Sequence, residues 1–124
     1  LMGIIYFIPK ILVYALDSQY PVASIASGSM WPALKQGDLV FIKGVHGKDD
    51  VFVGDIVVYR TIKGFTIHRV VEKGDDRVLT KGDANNSSDS PVYYDQIVGK
   101  TVDYNGKPVK IPYLGSISLI LRKD

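Results

Sequence analysis

Ile56-Val57-Val58-Tyr59-Arg60 and Phe65-Thr66-Ile67-His68-Arg69-Val70-Val71 decide the fold. Both runs are dominated by β-branched and aromatic residues, the types that suit a pleated, half-buried surface. Between them stands Lys63-Gly64, a turn signal. The same grammar continues outward in both directions. Leu39 to Lys43, Arg77 to Thr80 and Ile97 to Val102 read as further short strands, and Gly37-Asp38, Gly54-Asp55, Gly74-Asp75 and Asn105-Gly106 as turns. Many short strands with frequent turn signals imply a mostly β fold, either a barrel or a pair of coiled sheets. No internal repeat or low-complexity linker interrupts the pattern.

Composition narrows the function classes. The 124 residues suffice for one domain with a single core, and a hydrophobic fraction of 46% excludes a disordered chain. Net charge is +2 with mixed signs along the chain, so no basic stripe points to nucleic acid. The absence of cysteine excludes a disulfide framework and a thiolate metal site. The two histidines, His46 and His68, lack ligand-like spacing, so no metal is expected.

The first 19 residues differ in kind from residues 20–124. Leu1 to Leu16 reads LMGIIYFIPKILVYAL, apolar except for Pro9 and Lys10. As a helix it would reach roughly 24 Å, short of a bilayer core of about 30 Å. Its length and apolarity favour a membrane-associated segment, the end of a transmembrane helix, with Lys10 reaching the headgroups and Tyr6 and Tyr14 near the interface. The competing readings are an apolar element packed on the domain and a cleaved secretory signal, which would need a basic region that is missing here. The tail from Ile111 to Leu121 turns apolar again but is too short to span a membrane alone.

Three polar features carry chemistry. Ser29 lies in Ser27-Gly28-Ser29-Met30-Trp31-Pro32. Gly28 permits a tight backbone at close approach, and Pro32 steers Trp31 toward an extended conformation. The Ser29 N–H and the Ser27 hydroxyl are the expected oxyanion donors. Taken alone, the segment reads as a small-residue turn. A serine nucleophile needs a base; His68, on a strand within an apolar stretch, is the better candidate than His46 in a polar loop. An imidazole base in turn needs an orienting carboxylate, and the polar loop 80–89 offers Asp83 and Asp89.

Together these stretches resemble signal peptidase I, in the branch found in archaea, in the endoplasmic reticulum and in some bacteria. The resemblance rests on Ser27-Gly28-Ser29-Met30-Trp31-Pro32, Gly37-Asp38-Leu39-Val40, Gly54-Asp55-Ile56-Val57, Ile67-His68-Arg69-Val70, Thr80-Lys81-Gly82-Asp83-Ala84-Asn85 and Ile111-Pro112-Tyr113-Leu114-Gly115, in that order, over roughly Tyr20 to Leu121. It implies that Ser29 attacks the scissile carbonyl and that His68, standing where the bacterial branch has a lysine, is the general base. Lys81 then belongs to the Lys-Gly-Asp block rather than to a serine–lysine pair. By position Asp89 is the essential carboxylate and Asp83 the supporting one.

The implied reaction is removal of signal peptides from secretory preproteins at Ala-X-Ala-like sites. An extended substrate would add to a sheet edge, with Ile25, Ala26 and Met30 as pocket walls. The implied partners are preproteins and membrane lipid, with no cofactor. The implied location is a membrane, a prokaryotic cell membrane first, with the catalytic domain outside the cytoplasm and Trp31 near the interface. Two other readings remain: a protease dedicated to one secreted precursor, and a β-rich peptide-binding module without activity. The joint presence of serine, histidine and two aspartates argues against the second.

Overall fold

A computed structural model describes residues 21–62 and 64–112. The expected membrane-associated segment, and the apolar tail beyond residue 112, lie outside the described residues. Among the described residues ten strands run in the order β1 (Val22–Ser24), β2 (Leu39–Gly44), β3 (Ile56–Thr61), β4 (Gly64–Lys73), β5 (Arg77–Lys81), β6 (Val92–Tyr93), β7 (Ile97–Thr101), β8 (Asp103–Tyr104), β9 (Lys107–Pro108) and β10 (Lys110–Ile111). Two single-turn 3-10 helices, Lys48–Asp50 and Tyr94–Gln96, punctuate the connections.

The expected mostly β architecture is present. The strands pair in the order β1-β2-β7-β3-β4-β5-β6, and all of these ladders are antiparallel. β10 joins β2 beside β7, pairing with Leu39 and Val40 where β7 pairs with Ile42 to Gly44. Among the described residues the ladder does not close into a barrel: β1 and β6 stand at its ends. The β3–β4 pair forms the long central hairpin, from Ile56 opposite Arg69 to Thr61 opposite Gly64.

β3 is buried on both faces, which is why it reads Ile-Val-Val-Tyr without polar alternation. Successive side chains point to opposite faces, and the two faces feed two cores. Val57 and Tyr59 join Val45, Val51, Val70, Val78, Val92 and Ile97 on one side. Ile56 and Val58 join Ile25, Met30, Leu34, Val40 and Ile42 on the other. The second core anchors the serine loop from beneath, because Ile25, Met30 and Leu34 all lie between β1 and β2.

The turn signals place the glycines where the backbone needs them. Gly37 and Gly54 have φ of 94° and 99°, and Asn105 and Gly106 have φ of 52° and 76°, the pair of positive values that a tight two-residue hairpin turn requires. Trp31 departs from expectation. The chain turns there instead of extending, with Trp31 N–H donating to Gly28 O at 3.1 Å and a cis Trp31-Pro32 bond. Its ring is half exposed and carries Lys35 Nζ at 5.0 Å from its centroid. Among the described residues no helix is long and apolar enough to cross a membrane.

Candidate active site

Strand register brings the polar residues together. Val57 on β3 is directly opposite His68 on β4, and Val70 on β4 is opposite Thr80 on β5. Residues two apart on a strand share a face, as do directly paired residues. Tyr59, His68 and Thr80 therefore occupy one face of three neighbouring strands. Asp89, at the end of the loop after β5, is tied back by its N–H to Thr80 O at 2.7 Å.

Asp89 Oδ2 meets His68 Nδ1 at 2.5 Å, and His68 Nε2 meets Ser29 Oγ at 3.1 Å. An ionised carboxylate only accepts, so Nδ1 carries the proton and Nε2 is left as the acceptor facing the serine hydroxyl. That tautomer is the one able to take a proton from Ser29. His68 is buried, 9% exposed, in edge-to-face contact with the Tyr59 ring at 6.4 Å. Asp89 Oδ2 also accepts from Tyr59 Oη at 3.2 Å and lies 2.9 Å from Thr80 Oγ1, whose single proton serves either Asp89 or Tyr59 Oη at 3.1 Å. Burial raises the Tyr59 phenol above its ordinary value, and the charge of Asp89 pushes the same way, while the bond from Thr80 opposes. The phenol thus remains a donor.

Asp83 does not touch His68 in this arrangement. Its two oxygens accept a two-pronged bond from Arg69, Nε at 2.9 Å and Nη2 at 2.9 Å, and Arg69 Nη1 reaches on to Gly54 O at 2.8 Å. The Asp83 bond raises the Arg69 guanidinium above its usual range, against the opposing effect of burial. Asp83 therefore ties the 80–89 loop to β4 and, through Arg69, to the turn before β3. Lys81 Nζ donates to Gly82 O at 3.3 Å. His46 lies on the exposed loop, where its N–H donates to Asp50 Oδ2 at 2.9 Å.

The 80–89 loop also clamps the serine backbone. Ser29 O accepts from Ala84 N–H at 2.9 Å, and a Cβ on Gly82 would stand 2.6 Å from that same oxygen. Gly82 is thus required by close approach. Gly28, by contrast, faces open space and is not needed for packing within the chain. We expect Gly82→Ala to push the Ser29 carbonyl aside and to lower the reactivity of the Ser29 hydroxyl by about tenfold or more. Secondary structure would be retained, as read by circular dichroism alongside the assay.

Ser27 Oγ lies 3.2 Å from Ser29 Oγ and accepts a long 3.5 Å bond from Ser29 N–H. Both expected oxyanion donors thus flank the hydroxyl. The serine opens onto a cleft of about 460 Å³ between the β1 segment and the first half of β4. Ile25, Ala26 and Met30 all line it, with Ile42, Val58 and Ile67 behind. Among the described residues no group of three or more His, Asp or Glu side chains is placed to hold a metal ion.

Residues 5–107 match the family model described as Peptidase S24-like. The chain belongs to this peptidase family. Within it, the SEC11-type relatives place the peptidase in the signal peptidase I group. It is 35% identical to the signal peptidase complex catalytic subunit SEC11 of Metarhizium robertsii, over 90% of this chain and 70% of that protein. It is 38% identical to the subunit of the same name from Colletotrichum graminicola, over 85% of this chain and 66% of that one. Both relatives are named as subunits of a complex, and neither name supports the expected prokaryotic cell membrane.

Sequence reasoning missed Tyr59, Thr80 and Gly82 as parts of the site. Tyr59 read as a strand aromatic; a buried phenol nevertheless needs a polar partner, and that need was the available signal. Thr80 and Gly82 stood inside a recognised block but had no assigned task.

Proposed function

We propose that this peptidase removes signal peptides from secretory preproteins, with Ser29 as nucleophile, His68 as general base and Asp89 as the carboxylate that orients it. The observation carrying this reading is the continuous chain Ser29 Oγ, His68 Nε2, His68 Nδ1, Asp89 Oδ2 at 3.1 and 2.5 Å. Ser29 Oγ attacks the scissile carbonyl as its proton passes to His68 Nε2, and the imidazolium so formed is stabilised by Asp89. As negative charge grows on the carbonyl oxygen, Ser29 N–H turns from its long bond with Ser27 Oγ to that stronger acceptor, and the Ser27 hydroxyl donates beside it. His68 then returns its proton to the leaving amine. A water activated by the same nitrogen releases the acyl group.

The cleft supports the substrate class. Among the described residues, β5 pairs with β4 from Arg69 onward and β1 pairs with β2. Thr66, Ile67 and His68 of β4 line the cleft together with Val22 to Ala26 of the β1 segment, and an extended peptide laid along it would bind as an added strand. Ile25, Ala26 and Met30 give the cleft apolar walls, the kind of lining that the small apolar side chains of an Ala-X-Ala-like site call for. The first 19 residues then hold the domain at a membrane surface, on the side where preproteins emerge. The SEC11 relatives are parts of complexes, and this chain shares that mode of work with accessory subunits.

The test is cleavage of a preprotein series in detergent, varied at the first and third residues before the cut. Alanine or serine at both positions should support cleavage, and phenylalanine at either should lower kcat/KM by about a hundredfold or more. Equal cleavage of the whole series would contradict the assignment.

A further inference from the structure

The carboxylate facing His68 is held from two further sides, and the proton count is informative. Asp89 Oδ2 lies within reach of three donors: His68 Nδ1 from β4, Tyr59 Oη from β3 and Thr80 Oγ1 from β5. Thr80 Oγ1 also lies 3.1 Å from Tyr59 Oη. Each hydroxyl has one proton to give. When Thr80 donates to Tyr59, the Tyr59 proton is left for Asp89; when Thr80 donates to Asp89 directly, the Tyr59 hydroxyl donates to Asp89 or to Thr80 Oγ1. Both hydroxyl groups belong to buried residues, Tyr59 4% and Thr80 0% exposed, so water does not compete readily for them. The Tyr59 ring is fixed in the core by Val57, Val70, Val78 and Ile97. The phenol is therefore a rigid donor carried on the central strand.

We infer that Tyr59 is a positioning residue of this active site: its hydroxyl, backed by that of Thr80, fixes the Asp89 carboxylate so that Oδ2 faces His68 Nδ1. Without these donors the carboxylate keeps only its bond to His68 Nδ1 among the described side chains, and beyond the backbone tie from Asp89 N–H to Thr80 O it is freer to rotate about its side-chain bonds. The inference rests on the reading of Asp89 as the orienting carboxylate. It assigns Tyr59 no contact with substrate.

The test compares wild type, Tyr59→Phe, Asp89→Asn and the double variant on one preprotein in detergent. Thermal melting and the NMR signal of the His68 Nδ1 proton are measured alongside. Tyr59→Phe keeps the ring in the core and removes only the donor. The expected result is a fall in kcat of about tenfold, the scale of one hydrogen bond to a charged group. KM should stay within about twofold of wild type, and the Nδ1 proton signal should shift. In the Asp89→Asn background the same substitution should change kcat by less than about twofold, because its partner is already altered. Thr80→Val, which leaves the Tyr59 donor in place, should cost less than Tyr59→Phe. An unchanged kcat and an unmoved Nδ1 signal in Tyr59→Phe would overturn the inference. So would an equal tenfold fall in the Asp89→Asn background, since Tyr59 would then act by packing alone. Full activity of Asp89→Asn itself would remove the reading beneath the inference, and the inference with it.

Discussion

Ser29→Ala should abolish preprotein cleavage, lowering kcat by about a millionfold while leaving substrate binding close to unchanged. The substitution deletes one oxygen from a half-buried loop. Met30, 2% exposed, and Leu34, 0% exposed, keep the loop seated in its core. The Ser29 carbonyl still accepts from Ala84 N–H. The fold should therefore persist, with a melting temperature within a few degrees of wild type, so loss of activity reports chemistry rather than unfolding. Any residual rate above the uncatalysed reaction would come from binding and oxyanion donors, on the order of a thousandfold. Cleavage by Ser29→Ala at more than about one per cent of the wild-type rate would be incompatible with an acyl-enzyme on this residue.

The second large effect separates two possible bases. His68→Ala should match Ser29→Ala in severity, because members of one catalytic unit fail together and the double variant should be little worse than either single one. Lys81→Ala should remain within about threefold of wild type. The geometry is the reason. Lys81 Nζ is engaged with the carbonyl of its neighbour Gly82, whereas His68 Nε2 faces the serine hydroxyl. The two residues sit on adjacent strands with Arg69 opposite Lys81, and neighbouring strand positions point to opposite faces. An active His68→Ala beside an inactive Lys81→Ala would reverse the mechanism.

How much of this was readable in the sequence depended on where the information lay. β2, β3, β4, β5 and β7 were legible because each carries a run of β-branched or aromatic residues long enough to show strand character. Their observed ends differ from the expected ones by no more than two residues. β1, β6, β8, β9 and β10 have two or three residues each and exist only through their partners, so nothing local announces them. The Ser29 loop read alone as an ordinary turn. Its meaning comes from His68, 39 residues away in the chain, and from Asp89, 21 residues further on. The block order supplied that link, and the strand register supplied the distances.

The division of labour between the two aspartates was partly readable. The resemblance favoured Asp89, while the loop itself left both aspartates open, and the pairing of Asp83 with Arg69 depends on the path of that loop, which sequence pattern does not encode. Tyr59 was the least visible member. Its hydroxyl becomes informative only when β3, β4 and β5 are laid side by side.

Covalent trapping tests the central claim most directly. The protein is incubated with a peptide that ends in an alanine phosphonate ester, which captures an activated serine, and the adduct is mapped by mass spectrometry of proteolytic fragments. The account predicts one adduct on Ser29 in wild type and in Lys81→Ala, and its loss in His68→Ala. An adduct on another residue, or an undiminished Ser29 adduct in His68→Ala, would contradict it.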